Sequence, residues 1–344
     1  MNRINNMVFF LLCVLLALVN LYFKLNATPE WFNGTLQNNH ALLLSFNYAN
    51  NEQSRLLQFY IPEFLVRTFG FCVINAYIIQ RFIFTLLTFF LFFLYAKKWF
   101  NKYLAIICVI IMAAIMPPTY RTHLQESAPL LSLTFLCALW AIRENKTFWY
   151  VFILLVGSIN NETMLFVPAV YFFVNFIPKG IHISTRSMAN LSPNGADNFR
   201  KMDRFQYKGF DKYHFIHLAI KTVLLALPAF VIVGIIRYIN IDRPHLGGAW
   251  HFYGNISDLY NLHTLLMSFN IFWLLAFLYF KKKPLFLQRA LLTIPLFIIP
   301  HLITGIIRET RQMIPLAFII IPASMFTLIE LNKKKKKSED SDCA

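Results

Sequence analysis

The chain has 344 residues, of which 58% are hydrophobic and only 14% charged, and its formal net charge is +16. Runs of about 18 or more apolar residues recur along nearly its whole length, each enough to cross a ~30 Å hydrocarbon layer as a helix. That pattern excludes a soluble globular domain and points to an all-α, polytopic transmembrane bundle. The charge argues against a nucleic-acid groove, because the basic residues sit at the ends of apolar segments and in the Lys333 to Lys337 run, as topology signals and anionic-lipid contacts do.

In chain order, the first apolar segment is 7–23. No small-x-small cleavage site follows it, so it reads as an uncleaved helix. Residues 24–73 form a long mixed loop dense in aromatic side chains, which favour a membrane interface. Within it, 61–71 is expected to be a short interfacial helix with Pro62 in its first turn. Apolar segments follow at 74–95, 103–117 and 128–143. The next, 148–178, is interrupted by Asn160-Asn161-Glu162-Thr163. A polar, basic connection spans 179–215, with a turn at Pro193-Asn194-Gly195. The remaining segments are 216–239, 264–280, 285–303 and 312–331. Residues 1–332 read as one membrane domain, and 333–344 as a disordered cytoplasmic tail rich in lysine.

The break at 160–163 decides the topology. If 148–178 were a single span, the 179–215 loop, Lys281 to Lys283 and the lysine tail would all lie outside, against the positive-inside rule. If the chain turns around at the break, every one of these clusters becomes cytoplasmic, together with Lys97-Lys98, Arg143 and Lys146. A 12-residue helix reaches only ~18 Å, so the pair would be a short or re-entrant hairpin. The expected architecture is therefore about eight full spans plus this hairpin, with both termini inside.

This topology puts Lys24 and eight arginines outside: Arg55, Arg67, Arg81, Arg121, Arg237, Arg243, Arg308 and Arg311. Lysine on the inner side needs no role beyond orientation. Arginine on the disfavoured side needs another reason, and its planar fork suits phosphate or carboxylate. Three polar breaks gather on that face: Tyr120 to Glu126, Asn160 to Thr163, and Arg308-Glu309-Thr310-Arg311. Any one of them is accounted for by a solvated loop with local ion pairs. Three together beside an aromatic first loop indicate a site for an anionic ligand. His245 and His251 lack a metal-ligand pattern and read as loop residues.

The layout resembles the bacterial multi-pass glycosyltransferases of the GT-C type, which use polyprenyl-phosphate sugars. The likeness rests on the long loop after the first helix with Ser54-Arg55-Leu56-Leu57 to Pro62, on Gly157-Ser158-Ile159-Asn160-Asn161-Glu162-Thr163, and on Arg308-Glu309-Thr310-Arg311. It implies transfer of a sugar to an envelope glycan or lipid on the outer face of the bacterial plasma membrane. Membrane lipid and the lipid-linked sugar would be the partners, with a divalent cation as a possible cofactor. That family places an Asp in the first outer loop, whereas residues 24–73 contain none. Glu30 is the closest positional match, with Glu52 and Glu63 in reserve. The implied catalytic residues are Glu30, taking the acceptor proton or positioning a cation, and Glu162, orienting an arginine or the acceptor. The substrate-binding set is Arg55, Arg121, His123, Glu126, Asn161, Arg308, Glu309 and Arg311. Two other readings remain open, a transporter or flippase for a lipid-linked or anionic substrate and a non-catalytic envelope-assembly membrane protein.

Overall fold

The computed structural model describes residues 3–48, 51–120, 126–176, 212–242, 250–307 and 309–342. It is 84% helical, without strands among the described residues. The helices in chain order are α1 (Arg3–Ala27), α2 (Thr35–Leu44), α3 (Leu56–Phe69), α4 (Val73–Ala96), α5 (Lys102–Ile115), α6 (Ser127–Arg143), α7 (Thr147–Asn160), α8 (Val167–Asn175) and α9 (Lys212–Ile239). They continue with α10 (Phe252–Ser257), α11 (Leu259–Met267), α12 (Phe272–Phe277), α13 (Leu285–Leu291), α14 (Ile294–Thr304) and α15 (Ala317–Asp342).

Six segments are long and apolar enough to cross a membrane, namely Met7–Ala27, Val73–Ala96, Lys102–Thr119, Lys212–Ile239, Leu285–Thr304 and Thr310–Lys333. This is the make-up of an integral, multi-pass membrane protein. Two of the eight expected full spans fall short of that length. Helix α6 has 17 residues, about 25 Å at 1.5 Å per residue. The 264–280 segment is split into α11 and α12 by a turn in which Asn270 adopts φ 49°, a left-handed conformation that Asn tolerates. The last span is the hub, with 72% of its window buried, whereas the span containing α9 is peripheral at 22%. Helix α15 also continues through the lysine run to Asp342, where the sequence suggested disorder; lysine is a good helix former and no Pro or Gly intervenes.

The hairpin at 147–175 is formed. Tyr150, near the start of α7, stacks on Tyr171, late in α8, with ring centroids 4.9 Å apart. A continuous helix would separate these residues by about 30 Å, so the chain folds back between them. The turn is a 3₁₀ segment, Glu162–Phe166, whose Asn161 cap accepts a hydrogen bond at Oδ1 from the Thr163 amide at 2.9 Å. Gly157 permits the reversal. A Cβ there would lie 2.8 Å from both Cγ and Cε of Met164 on the returning strand of chain, and 3.1 Å from Thr134 Oγ1. Gly157→Val is therefore expected to cost about 1–3 kcal/mol by overpacking, read as a lower melting temperature in detergent. An unchanged melting temperature would mean that this contact is slack.

The two ends of the bundle differ in their cations. At one end, Lys98 pairs with Glu144 at 3.2 Å, the Arg143 guanidinium lies 4.8 Å from the centroid of the Trp99 ring, and Lys282 pairs with Glu330 at 3.1 Å. Trp99 and Phe286 rings meet there at 6.0 Å. Lysines thus dominate that end. At the other end lie Lys24, Arg55, Arg81, Arg237 and Arg311, grouped with carboxylates.

The first loop is more helical than expected. Helix α3 begins at Leu56, five residues before the predicted start, so Pro62 sits inside it. Proline cannot bond the carbonyl four residues back. The Gln58 carbonyl so exposed accepts instead from Gln80 Nε2 of α4 at 3.3 Å. Helix α2 was not foreseen. It is held by Leu36 and Leu43 in a small core with Trp31, Phe59 and Tyr77, and by His40, whose ring nitrogens bond Tyr77 Oη at 3.2 Å and Glu63 Oε2 at 3.0 Å.

Candidate functional site

The arginine-rich end is organised around the start of α6. Glu126 is buried to 1% side-chain exposure. It accepts from Arg81 Nη1 at 2.7 and 2.6 Å and lies 3.1 Å from Lys24 Nζ. Arg81 also packs its guanidinium 4.3 Å from the centroid of the Tyr120 ring, and Tyr120 donates to Asn20 Oδ1 at 2.8 Å. Next to it, the Ser127 amide donates to Gln58 Oε1 at 3.0 Å, and the Ser127 carbonyl accepts from Asn160 Nδ2 at 2.9 Å. Two consecutive residues thus tie together α1, α3, α4, α6 and the hairpin.

Beside this hub lies a second charged group. Glu52 belongs to a 3₁₀ turn, Asn51–Ser54, that leads into α3 through Arg55. Arg55 Nη1 donates to Glu52 Oε1 at 2.5 Å. Arg311, in the 3₁₀ segment Thr310–Leu316 that precedes α15, donates to the same oxygen through Nη1 and Nη2, both at 3.3 Å. Its Nη2 also reaches Glu309 Oε2 at 2.9 Å. A small cleft of about 10 Å³, room for one water, opens beside the two arginines and is lined also by Ser127, Asn161 and Gln312. A second small cleft, also about 10 Å³, is lined by Phe135, Phe166, Val170, Phe297 and Leu316 and is almost wholly apolar. The two lie along the same segments: the polar cleft uses Leu131 and Gln312, and the apolar one the residues four further on, Phe135 and Leu316.

Burial pushes the Glu52 carboxyl up, but Arg55 and Arg311 outweigh it and hold the group below the ordinary carboxylate range. A depressed folded value means that ionised Glu52 contributes stability above the unfolded value of about 4.3, and that this contribution is lost as pH falls through the folded value. The melting temperature is therefore expected to drop on acidification below about pH 4, with part of that drop missing in Glu52→Gln. Parallel pH profiles for the two proteins would refute this assignment.

Several expected site residues are accounted for. Arg55, Asn161 and Arg311 line the cleft, and Glu309 pairs with Arg311. Glu162, at the hairpin tip, pairs with Arg237 of α9 at 2.8 Å and is about one-third exposed. Glu126 is engaged by Arg81 and Lys24 as the centre of the hub, so its observed role is to join helices. Glu30 lies exposed on the 3₁₀ turn Pro29–Asn33; the first-loop carboxylate that the arginines enclose is Glu52. Arg121, His123 and Arg308 fall outside the described residues. Sequence reasoning gave Arg81 and Lys24 no place in the site. The available signal was a charge inside each apolar segment, which is costly unless partnered. Among the described residues, no group of three or more His, Cys, Asp or Glu side chains is placed to hold a metal ion.

Comparison with protein-family models, with curated proteins and with solved structures finds no match.

Proposed function

We propose that this chain is a membrane-embedded glycosyltransferase of the kind that uses a polyprenyl-phosphate-linked sugar, acting at the arginine-rich end. The observation that carries the reading is the convergence of three chain-distant segments on one cleft: Arg55 from the first loop, with Glu52 bonded to it, Asn161 from the hairpin tip, and Arg311 from the start of the last span. Lysines collected at the opposite end favour placing that end in the cytoplasm of a bacterial cell. The site then faces outward, and the hairpin is a re-entrant element.

In this reading Arg55 and Arg311 hold the donor phosphate, and Asn161 orients it or the acceptor. The acceptor oxygen attacks the anomeric carbon as the bond from that carbon to the phosphate oxygen breaks. The lipid phosphate departs with the bonding pair, stabilised by the arginines. The acceptor's proton passes to the first-loop carboxylate, Glu52. Glu162 and Arg237 brace the hairpin tip. Purified protein given a radiolabelled lipid-linked sugar and a membrane extract as acceptor is expected to move label into the acceptor and consume the donor. A flippase would leave the donor intact, and intact donor under all conditions would end the transferase reading.

A further inference from the structure

Glu52 is an unusual occupant of its position. Two guanidinium groups converge on one of its oxygens, Oε1, while Oε2 is buried without a hydrogen-bond partner. The Nε atoms of Arg55 and Arg311 are likewise buried and without a partner. Each guanidinium carries five N–H donors, so this pocket holds more donors than a single carboxylate oxygen can satisfy. Both arginines are more than nine-tenths buried, and both line the open cleft. Buried donors lacking acceptors beside a small cleft, with the second carboxylate oxygen not bonded to them, describe a seat that this flat carboxylate fills poorly and that a tetrahedral anion, with oxygens on every side, would fill better.

We propose that Glu52 is a built-in stand-in for a tetrahedral oxyanion. Its carboxylate keeps Arg55 and Arg311 together in the empty protein, and the phosphate of an incoming ligand displaces it and takes both guanidinium groups. The exchange is possible in charge terms, since one anion leaves the arginines as another arrives. Glu309, which shares Arg311 and is about one-quarter exposed at its side chain, remains where it is. Displacement also changes what Glu52 can do. Freed from two cations, the carboxylate holds a proton more readily. On the transferase reading, on which this last step alone rests, arrival of the donor phosphate switches on the base that the acceptor needs.

The test is an anion titration of the full-length protein in detergent, with inorganic sulfate as the probe. A group that occupies its own binding seat reduces apparent affinity by the fraction of time it sits there. Glu52→Gln, which no longer competes as an anion, is expected to bind sulfate at least about tenfold more tightly than wild type. Glu309→Gln removes the same charge from beside the seat and is expected to change affinity by less than about threefold. Glu52→Asp keeps the charge that folding requires but withdraws it by one methylene, and its affinity is expected to fall between wild type and Glu52→Gln. Equal gains in Glu52→Gln and Glu309→Gln would reduce the effect to general electrostatics and overturn the proposal. So would the absence of a gain in both Glu52 variants. Because sulfate binding needs no sugar transfer, a gain without transfer by the wild type sinks only the transferase reading, and transfer without a gain sinks only this one.

Discussion

Glu126→Ala is expected to be the most destabilising single substitution at the charged end. It leaves Arg81 buried at 3% exposure without its carboxylate, and removes the same carboxylate from Lys24. Arginine cannot shed its proton to escape the penalty. Removing one partner of a buried ion pair typically costs about 3–5 kcal/mol, and the helices joined through residues 126 and 127 would loosen together. The measurements are melting temperature and the yield of monodisperse protein after solubilisation. Replacing all three charges by apolar side chains of similar volume (Lys24→Met, Arg81→Met and Glu126→Leu together) should recover much of the loss, because no orphaned charge then remains. A triple variant less stable than Glu126→Ala would mean that the charges themselves, and not their pairing, hold the hub.

Glu52→Gln should abolish sugar transfer, whereas Glu30→Gln should leave it near the wild-type rate. Losing a proton acceptor at the reacting oxygen costs about 10²- to 10⁴-fold in rate, and the neutral amide cannot accept that proton. Glu30 lies on the exposed surface of its turn, so its charge is screened by solvent. Initial rates with the lipid-linked donor, measured on proteins of matched melting temperature, decide between them. Loss of transfer in Glu30→Gln with retention in Glu52→Gln would reverse the assignment and return the chemistry to the first turn of the loop.

How much of this was legible beforehand depended on whether a feature is local. The polar break at 160–163 and the lysine distribution together suffice to read the hairpin, since both follow from simple rules about charge and depth; the observed turn begins within a residue or two of the reading. Arg55, Asn161 and Arg311, which line one cleft, stood out in the sequence for the same reason, being polar groups where apolar ones belong. The choice of Glu52 over Glu30 was not legible. It depends on Arg311, which lies 259 residues away in sequence from Glu52. The early start of α3 was hidden likewise, because Pro62 discourages a helix there, and the compensating amide comes from Gln80 in the next helix. The length of α6 and the division of 264–280 into α11 and α12 were not legible, because composition records greasiness but not where a helix stops.

The shortness of α7 has a bearing on what the protein can serve. Fourteen residues rise about 21 Å, so in a hydrocarbon layer of ~30 Å the hairpin tip stops roughly 9 Å below the far surface. Arg81 stands at a similar height above the end of α4, fifteen residues or about 22 Å from Ala96. On the proposed orientation the hairpin tip and Arg81 therefore lie below the outer surface of the hydrocarbon layer, and the cleft residues beside the tip lie near the same depth. A lipid phosphate sliding in sideways must dip below the headgroup layer to meet them. A water-borne acceptor has to reach down to the same depth, which the tip of a glycan chain can do and the flat face of a folded protein cannot.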